Sequence, residues 1–401
     1  MQEIEPGPPS AATDELDRPA APRLRHADPP RGPTHAVSGA WAWLEQHTGQ
    51  PRFGFARRDG TGLLGAGIAE QVSGRSITDV LAQVQGRDGA WFVGGSFDPL
   101  ADRAPWWAPF GAAHAWRPRE TFALPAPTQP SLVRASLSHD PDAPPPGRVP
   151  DRAQWQTLTD QAAAGIAAGE FAKVVVARTI AEMTDTDALA WIQGPRSPRE
   201  MGFLFEPQPG TAFAGLTPEL LFDRLGTTVR SEALAGTDVN SPRGRERLLA
   251  SDKDAREHAL VVDAITRALT PLCDTLDSSG LELAVTGRLV HRLVAFRGRL
   301  TSPVSDARLA AQLHPTPAVA GTPSDAAIAF LREHEPFDRG WYAGPIGLVE
   351  PGRTTLSVAL RCALWRGDTR ITFAGAGWVP GSEAQAEWDE TELKSLAVRR
   401  R

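Results

Sequence analysis

Cysteine is nearly absent from this sequence: Cys273 and Cys362 are the only two, 89 positions apart, and they match no metal-ligand spacing. That argues against a disulfide framework or a zinc site and leaves two ordinary thiols, buried or half-buried. No apolar run approaches the ~20 residues that a bilayer span requires, so no membrane role is expected. Residues 1–33 lack the basic stretch and apolar core of a secretory signal, which makes the reducing cytoplasm the expected location. Excess positive charge is missing too. The formal net charge of −6 gives no electrostatic footprint for nucleic acid, while a local basic cleft for a small anion stays compatible with it. The basic cluster Arg243 to Arg247 reads as a solvated face and Arg399 to Arg401 as a frayed end. No internal repeat of fixed period stands out.

What is present is an ordinary globular composition, 41% hydrophobic and 22% charged, over 401 residues. Residues 1–36 carry eight prolines and few large apolar side chains, so they read as a disordered tail. Globular text starts near Ala40, with strand-like segments at 62–68 and 90–97. A second stretch, Asp140 to Pro150 with five prolines, marks a connection. Residues 37–150 therefore form one part of the chain and 151–401 another.

The second part alternates helices and strands. A helix is expected over 151–168, then a strand over 172–179 whose Val174-Val175-Val176 run suits a buried sheet. Strands follow at 201–206, 211–216, 220–224 and 229–234, joined by turn residues into an antiparallel set. A long helix from Pro242 or Ser251 to Cys273 carries apolar residues at helical spacing. Further helices are expected over 306–313 and from a Ser324 cap to Arg332. Two strands, 354–365 and 369–374, precede a helix opened by Ser382, with Gln385 at the capping-box spacing. The fold class is α+β.

Two acidic pairs, Asp254 with Glu257 and Glu387 with Glu390, lie on expected helices three residues apart, so each pair shares a face. Magnesium takes hard oxygen ligands, one or two carboxylates with waters and substrate oxygens, and two such helices facing each other could hold it; taken alone, each pair reads first as a solvated helix face. Phe373-Ala374-Gly375-Ala376-Gly377 is read as leaving a strand for a turn, where small residues let backbone amides approach an anion. Arg361, flanked by apolar residues, needs an anionic partner, either a structural carboxylate or a substrate's. Lys173 at the head of a buried strand either snorkels to solvent or serves as a base.

Read in order, these fragments resemble the chorismate-utilising family of isochorismate, salicylate, anthranilate and aminodeoxychorismate synthases. The resemblance covers residues 151–394. It runs through Phe171-Ala172-Lys173-Val174-Val175-Val176-Ala177-Arg178, Thr217-Pro218-Glu219-Leu220-Leu221-Phe222, Leu234-Ala235-Gly236-Thr237 and Ser251-Asp252-Lys253-Asp254-Ala255-Arg256-Glu257-His258. It continues through Leu313-His314-Pro315-Thr316-Pro317-Ala318, Phe337-Asp338-Arg339-Gly340-Trp341-Tyr342-Ala343-Gly344 and Glu387-Trp388-Asp389-Glu390-Thr391 with Lys394.

The resemblance implies a single large domain of two packed, mainly antiparallel sheets flanked by helices, with residues 37–150 as its divergent N-terminal part. It implies Glu257 and Glu390 as direct magnesium ligands, with Asp254 and Glu387 supporting the metal's water shell. Chorismate's carboxylates would be held by Arg361, Lys394 and the backbone at Gly236 and Gly375, with Thr237 and His291 lining the same cavity. Lysine at position 173 resembles the members that add water rather than ammonia. Lys173 would then be the base and protonated Glu219 the acid of an isochorismate synthase, serving menaquinone, siderophore or other salicylate-derived products. The alternatives are a salicylate synthase that also eliminates pyruvate, an ammonia-using synthase component, or a non-catalytic chorismate-binding protein. No obligate protein partner is expected. Two departures from the family's usual pattern, extra residues over 238–244 and Arg292 after His291, are expected to alter a loop near the cavity mouth and not the chemistry.

Overall fold

The computed structural model describes residues 39–124, 147–194, 196–301 and 304–399. The proline-rich tail at 1–36 and most of the expected connection at 140–150 lie outside the described residues. Two ten-stranded sheets, antiparallel in every pairing, make up the body. In the first, Lys173–Met183, Thr369–Trp378, Cys362–Arg366, Thr211–Thr217, Met201–Gln208, Arg52–Ala56 and Gly62–Ala66 lie side by side. The second runs from Cys273–Ser278 through Leu289–Leu300, Thr228–Val239, Leu220–Leu225, Arg353–Val358, Pro345–Glu350 and Trp91–Gly95 to Glu70–Gly74. Strands from 52–124 enter both sheets.

The sheets face each other across one apolar core. Phe53 of the first sheet stacks on Phe92 and Trp116 of the second, with ring centroids 5.6 and 5.2 Å apart, and such pairs add about 0.5–1.5 kcal/mol beyond their buried area. The strands Lys173–Met183, Thr211–Thr217 and Thr369–Trp378 are buried along most of their length, which is why apolar residues run through them without strict alternation. A second cluster covers the outer face of the first sheet, where Leu44, Trp41, Trp191 and Val398 pack on Leu204, Ala214 and Trp365. Among the described residues no helix is long and apolar enough to cross a membrane. Both cysteines are free thiols, Cys362 buried and Cys273 half-buried.

Several expected elements change at their ends for local reasons. The helix expected from Pro242 to Cys273 is two helices, Pro242–Ala250 and Asp252–Leu269, because Ser251 leaves helical geometry and its hydroxyl accepts from the Asp254 amide at 3.1 Å. The strand expected over 354–365 is also two, Arg353–Val358 and Cys362–Arg366, each in a different sheet. Ser324 does not cap its helix; Pro323 occupies the cap position and Ser324 is the first helical residue. Nor does Ser382 form a capping box, since its hydroxyl turns back to the Val379 amide and the helix is Ala384–Arg399. Arg399 is not frayed: its guanidinium pairs with Glu182 at 3.0 Å.

Candidate active site

The cavity opens beside two of the places where the chain crosses between the sheets. One crossing is Pro218-Glu219, between Thr211–Thr217 and Leu220–Leu225; the other is Ala359-Leu360-Arg361, between Arg353–Val358 and Cys362–Arg366. The crossings hold each other: Thr217 Oγ1 donates to the Val358 carbonyl at 2.5 Å, the Val358 amide to the Glu219 carbonyl at 3.1 Å, and the Leu216 amide to the Arg361 carbonyl at 3.1 Å. Arg361 takes φ 48° and Ala343 φ 61°, the only described non-glycine residues in left-handed geometry, and both line the cavity. Such residues cost about 1–3 kcal/mol each, so the fold carries strain where it positions Arg361. His314 braces the neighbouring turn, with Nε2 3.0 Å from the Ala343 carbonyl.

The cavity, about 740 Å³ with its mouth included, brings together Glu219, Gly236, Thr237, Glu257, His291, Arg361, Gly375, Glu390 and Lys394. Lys173, Asp254 and Glu387 are not on its wall. Lys173 does not snorkel: it is fully buried behind Glu257, its Nζ 2.9 Å from Glu257 Oε1. Asp254 and Glu387 stand one helical turn from Glu257 and Glu390 on their respective helices, so the two acidic pairs do face a shared region.

At one end of the cavity sits a basic and neutral set. His291 Nδ1 is 3.0 Å from Thr237 Oγ1, and its Nε2 is 2.8 Å from Thr286 Oγ1 and 3.4 Å from Arg361 Nη2. Burial, reinforced by Arg361 and Lys394, pushes His291 well below the usual histidine range, so it is neutral. Arg361 is buried and forms no ion pair with a described carboxylate, which leaves its charge for an anion in the cavity. Gly236 is a bulge in Thr228–Val239, with φ 71° at the register shift opposite His291, and a side chain there would press on Asp254 Oδ1 at 3.1 Å.

The Gly375-Gly377 segment is not a turn. It lies inside the strand Thr369–Trp378, paired with Val175 to Ala177 of Lys173–Met183. Its glycines make room: a Cβ at Gly377 would stand 2.4 Å from Glu257 Oε1 and 3.1 Å from Lys173 Cε, and one at Gly375 3.0 Å from Tyr342 Oη. Lys394 Nζ donates to the Gly375 carbonyl at 2.8 Å.

At the other end the carboxylates each meet a lysine. Glu257 pairs with Lys173, Glu390 with Lys394 at 2.6 Å, and Glu387 with Lys253. Burial pushes Glu257 up, but Lys173, Lys394 and Lys253 outweigh it and hold the carboxyl below its ordinary value. Glu387 is pushed up by burial and by the like charge of Glu390, and Asp254 by burial with Glu257 and Glu390 adding to it. Among the described residues no three His, Cys, Asp or Glu side chains form a ready-made metal cage. The donor set nevertheless suits a hard divalent cation, being all oxygen with two carboxylates on the wall, the number magnesium takes alongside water and substrate oxygens.

Glu219 differs from all of these. It is fully buried, accepts one hydrogen bond from Thr316 Oγ1 at 3.3 Å, and burial raises its pKa to about 7 against the opposing pull of Thr316 and Lys173. The carboxyl therefore keeps about half its population protonated at neutral pH and can donate. A folded-state pKa above the unfolded value gives stability present below about pH 4.5 and lost as pH rises through about 7, worth about 3 kcal/mol for this buried group. Glu219→Gln, which keeps the acceptor for Thr316, should thus melt progressively higher relative to wild type between pH 4.5 and 8. A melting-temperature gap that stays constant with pH would contradict the assigned ionisation.

Thr316 and Tyr342 were not singled out by the sequence pattern. Tyr342 is the sole tyrosine, buried, stacked on Phe373 at 5.1 Å, and on the cavity wall. Both lie in fragments that carry the family resemblance, and the uniqueness of Tyr342 in the composition is a further signal. Arg292 Nη1 donates to the Leu248 carbonyl at 3.0 Å, and Arg247 closes the 238–244 loop through Asp238.

The family model for chorismate binding enzymes matches residues 128–400, a span that contains every candidate site residue. The chain belongs to the chorismate-binding enzyme family. Within that family it is 38% identical over 261 residues to the salicylate biosynthesis isochorismate synthase of Pseudomonas aeruginosa, covering 62% of this chain and 54% of that one. It is 36% identical over 267 residues to isochorismate synthase DhbC of Bacillus subtilis, covering 61% and 67%. The crystal structure of a 2,3-dihydroxybenzoate-specific isochorismate synthase from Bacillus anthracis superposes with a TM-score of 0.74 at 26% identity, over 89% of this chain and 97% of that one. The chain spans about half the length of the first curated relatives it matches. The family match begins at residue 128, yet the chorismate-binding fold of this chain takes strands from 52–124 into both sheets.

Proposed function

We propose that this chain is an isochorismate synthase, which adds water at C2 of chorismate and expels the C4 hydroxyl as the ring double bond shifts. The observation that carries the reading is Glu219, a carboxyl on the cavity wall that burial keeps protonated near neutrality, as a general acid must be. Arg361 and Lys394 would take the substrate carboxylates, with the neutral His291 and Thr237 beside them. Lys173 would accept a proton from the attacking water, and Glu219 would deliver one to the departing hydroxyl. The second proton of the water stays on the new C2 hydroxyl, so the reaction consumes one water and releases one.

Glu257 and Glu390 would hold a magnesium ion, with Asp254 and Glu387 behind them. Bound there, it would neutralise carboxylate charge on the ring and orient it. A chelator should stop turnover and added magnesium restore it; full activity in the presence of excess chelator would remove the metal from the account.

The product separates this reading from its neighbour. Purified chain with chorismate should give isochorismate, detected by adding an isochorismatase, and no pyruvate in a lactate dehydrogenase-coupled assay. Stoichiometric pyruvate with fluorescent salicylate, from the chain alone, would make it a salicylate synthase and leave the water-adding residues in place.

A further inference from the structure

The Glu219 amide donates to Thr217 Oγ1 at 3.3 Å, and the backbone around it is fixed at both ends of the crossing. On one side the Val358 amide takes the Glu219 carbonyl at 3.1 Å. On the other, the carbonyl of Pro218 is taken by Arg58 Nη2 at 2.6 Å. Arg58 belongs to the turn after Arg52–Ala56, in the N-terminal part that the family match does not reach. The same guanidinium grips Glu232, with Nη2 2.8 Å from Oε2 and Nη1 on Oε1, and its Nε donates to the Arg199 carbonyl at 2.8 Å. Every nitrogen of Arg58 thus has a partner, and the fork joins three segments distant in sequence.

The geometry points to Arg58 as a positioning residue for Glu219, setting the place of its carboxyl through the Pro218 carbonyl and balancing the charge of Glu232 beside it. The inference deepens the proposed function and rests on Glu219 being the acid. Four groups face Glu219: Thr316 from the 314–320 loop, Lys173 from its strand, Lys394 from the C-terminal helix and Glu232 from Thr228–Val239. Only Glu232 raises its proton affinity, and Glu232 is only 11% exposed, so its charge is poorly screened unless Arg58 and, at 3.4 Å, Arg199 balance it. A lysine at position 58 keeps a charge but loses the fork that reaches Pro218 and Glu232 together.

The test uses the full chain with Arg58→Met, Arg58→Lys and Arg58→Met/Glu232→Gln. Arg58→Met should lower kcat by tenfold or more with KM changed less than threefold, and Arg58→Lys should fall between it and wild type. A second reading needs no turnover: the melting-temperature gap between Glu219 and Glu219→Gln, followed against pH in each Arg58 background, reports the ionisation of Glu219. In Arg58→Met the gap should go on widening to a pH at least half a unit higher than in wild type before it levels off, and the added Glu232→Gln should bring that levelling-off back. A lowered melting temperature with kcat and the pH of the gap unchanged makes Arg58 structural only and overturns the inference. Should Arg58→Met fail to fold, the same two readouts on Arg58→Lys decide it. If wild type does not turn over chorismate, the proposed function fails, while the gap measurement still decides whether Arg58 governs Glu219.

Discussion

Glu390→Ala should abolish turnover while the protein melts close to wild type, and Glu257→Ala should lose both activity and several degrees of stability. The two carboxylates occupy equivalent places in the proposed metal site but unlike places in the fold. Glu390 pairs with Lys394, both partly exposed, and exposed pairs are worth about 0–1 kcal/mol. Glu257 is the counterion of a fully buried lysine, and removing one partner of a buried pair costs about 3–5 kcal/mol because the remaining charge is stranded. Glu257→Gln keeps a polar neighbour for Lys173 and should recover part of the stability and none of the activity. Circular dichroism melts beside initial rates in saturating magnesium distinguish these outcomes. Retained activity in either alanine variant at low magnesium would detach both residues from the metal.

Lys173→Gln and Glu219→Gln should each lower kcat by at least the ~10²-fold that a lost general acid or base usually costs, with a smaller change in KM. Neither side chain is among the groups assigned to hold the substrate carboxylates, so binding should survive. The double variant should be little worse than the poorer single one, since either loss already stops a concerted exchange of water for hydroxide. A rise in KM with kcat preserved would turn both into binding residues.

The sequence made the chemistry-bearing residues legible where local pattern carries them. Asp254 and Glu257 are on one helix at a spacing of three, Glu387 and Glu390 on another, and their helical faces follow from periodicity alone. The resemblance supplied Glu219, Thr237, His291 and Arg361, and the fold gathers them on one wall. Glycine misled the reading of 373–377, because glycine marks a turn and a close approach with the same letter; here it is the close approach of Glu257 and Tyr342 to a continuing strand. The strand expected at 354–365 gave no sign of passing between two sheets, since Ala359 and Leu360 are as apolar as their neighbours and only the φ of Arg361 records the break. Partners distant in sequence were invisible for the same reason. Nothing local ties Lys173 to Glu257, Glu219 to Thr316 or Pro218 to Arg58, and each is set by which strands and crossings the topology makes adjacent.

The account's central claim is that Lys173 and Glu219 exchange one ring hydroxyl for one from solvent. Short incubation of the purified chain with chorismate and magnesium in H2¹⁸O, followed by chromatography and mass spectrometry, tests it most directly. The account predicts isochorismate two mass units heavier than its unlabelled form, with the label in the C2 hydroxyl, and none formed by Lys173→Gln or Glu219→Gln within the same time. Isochorismate carrying no solvent oxygen, or no conversion of chorismate by the wild type, would contradict it.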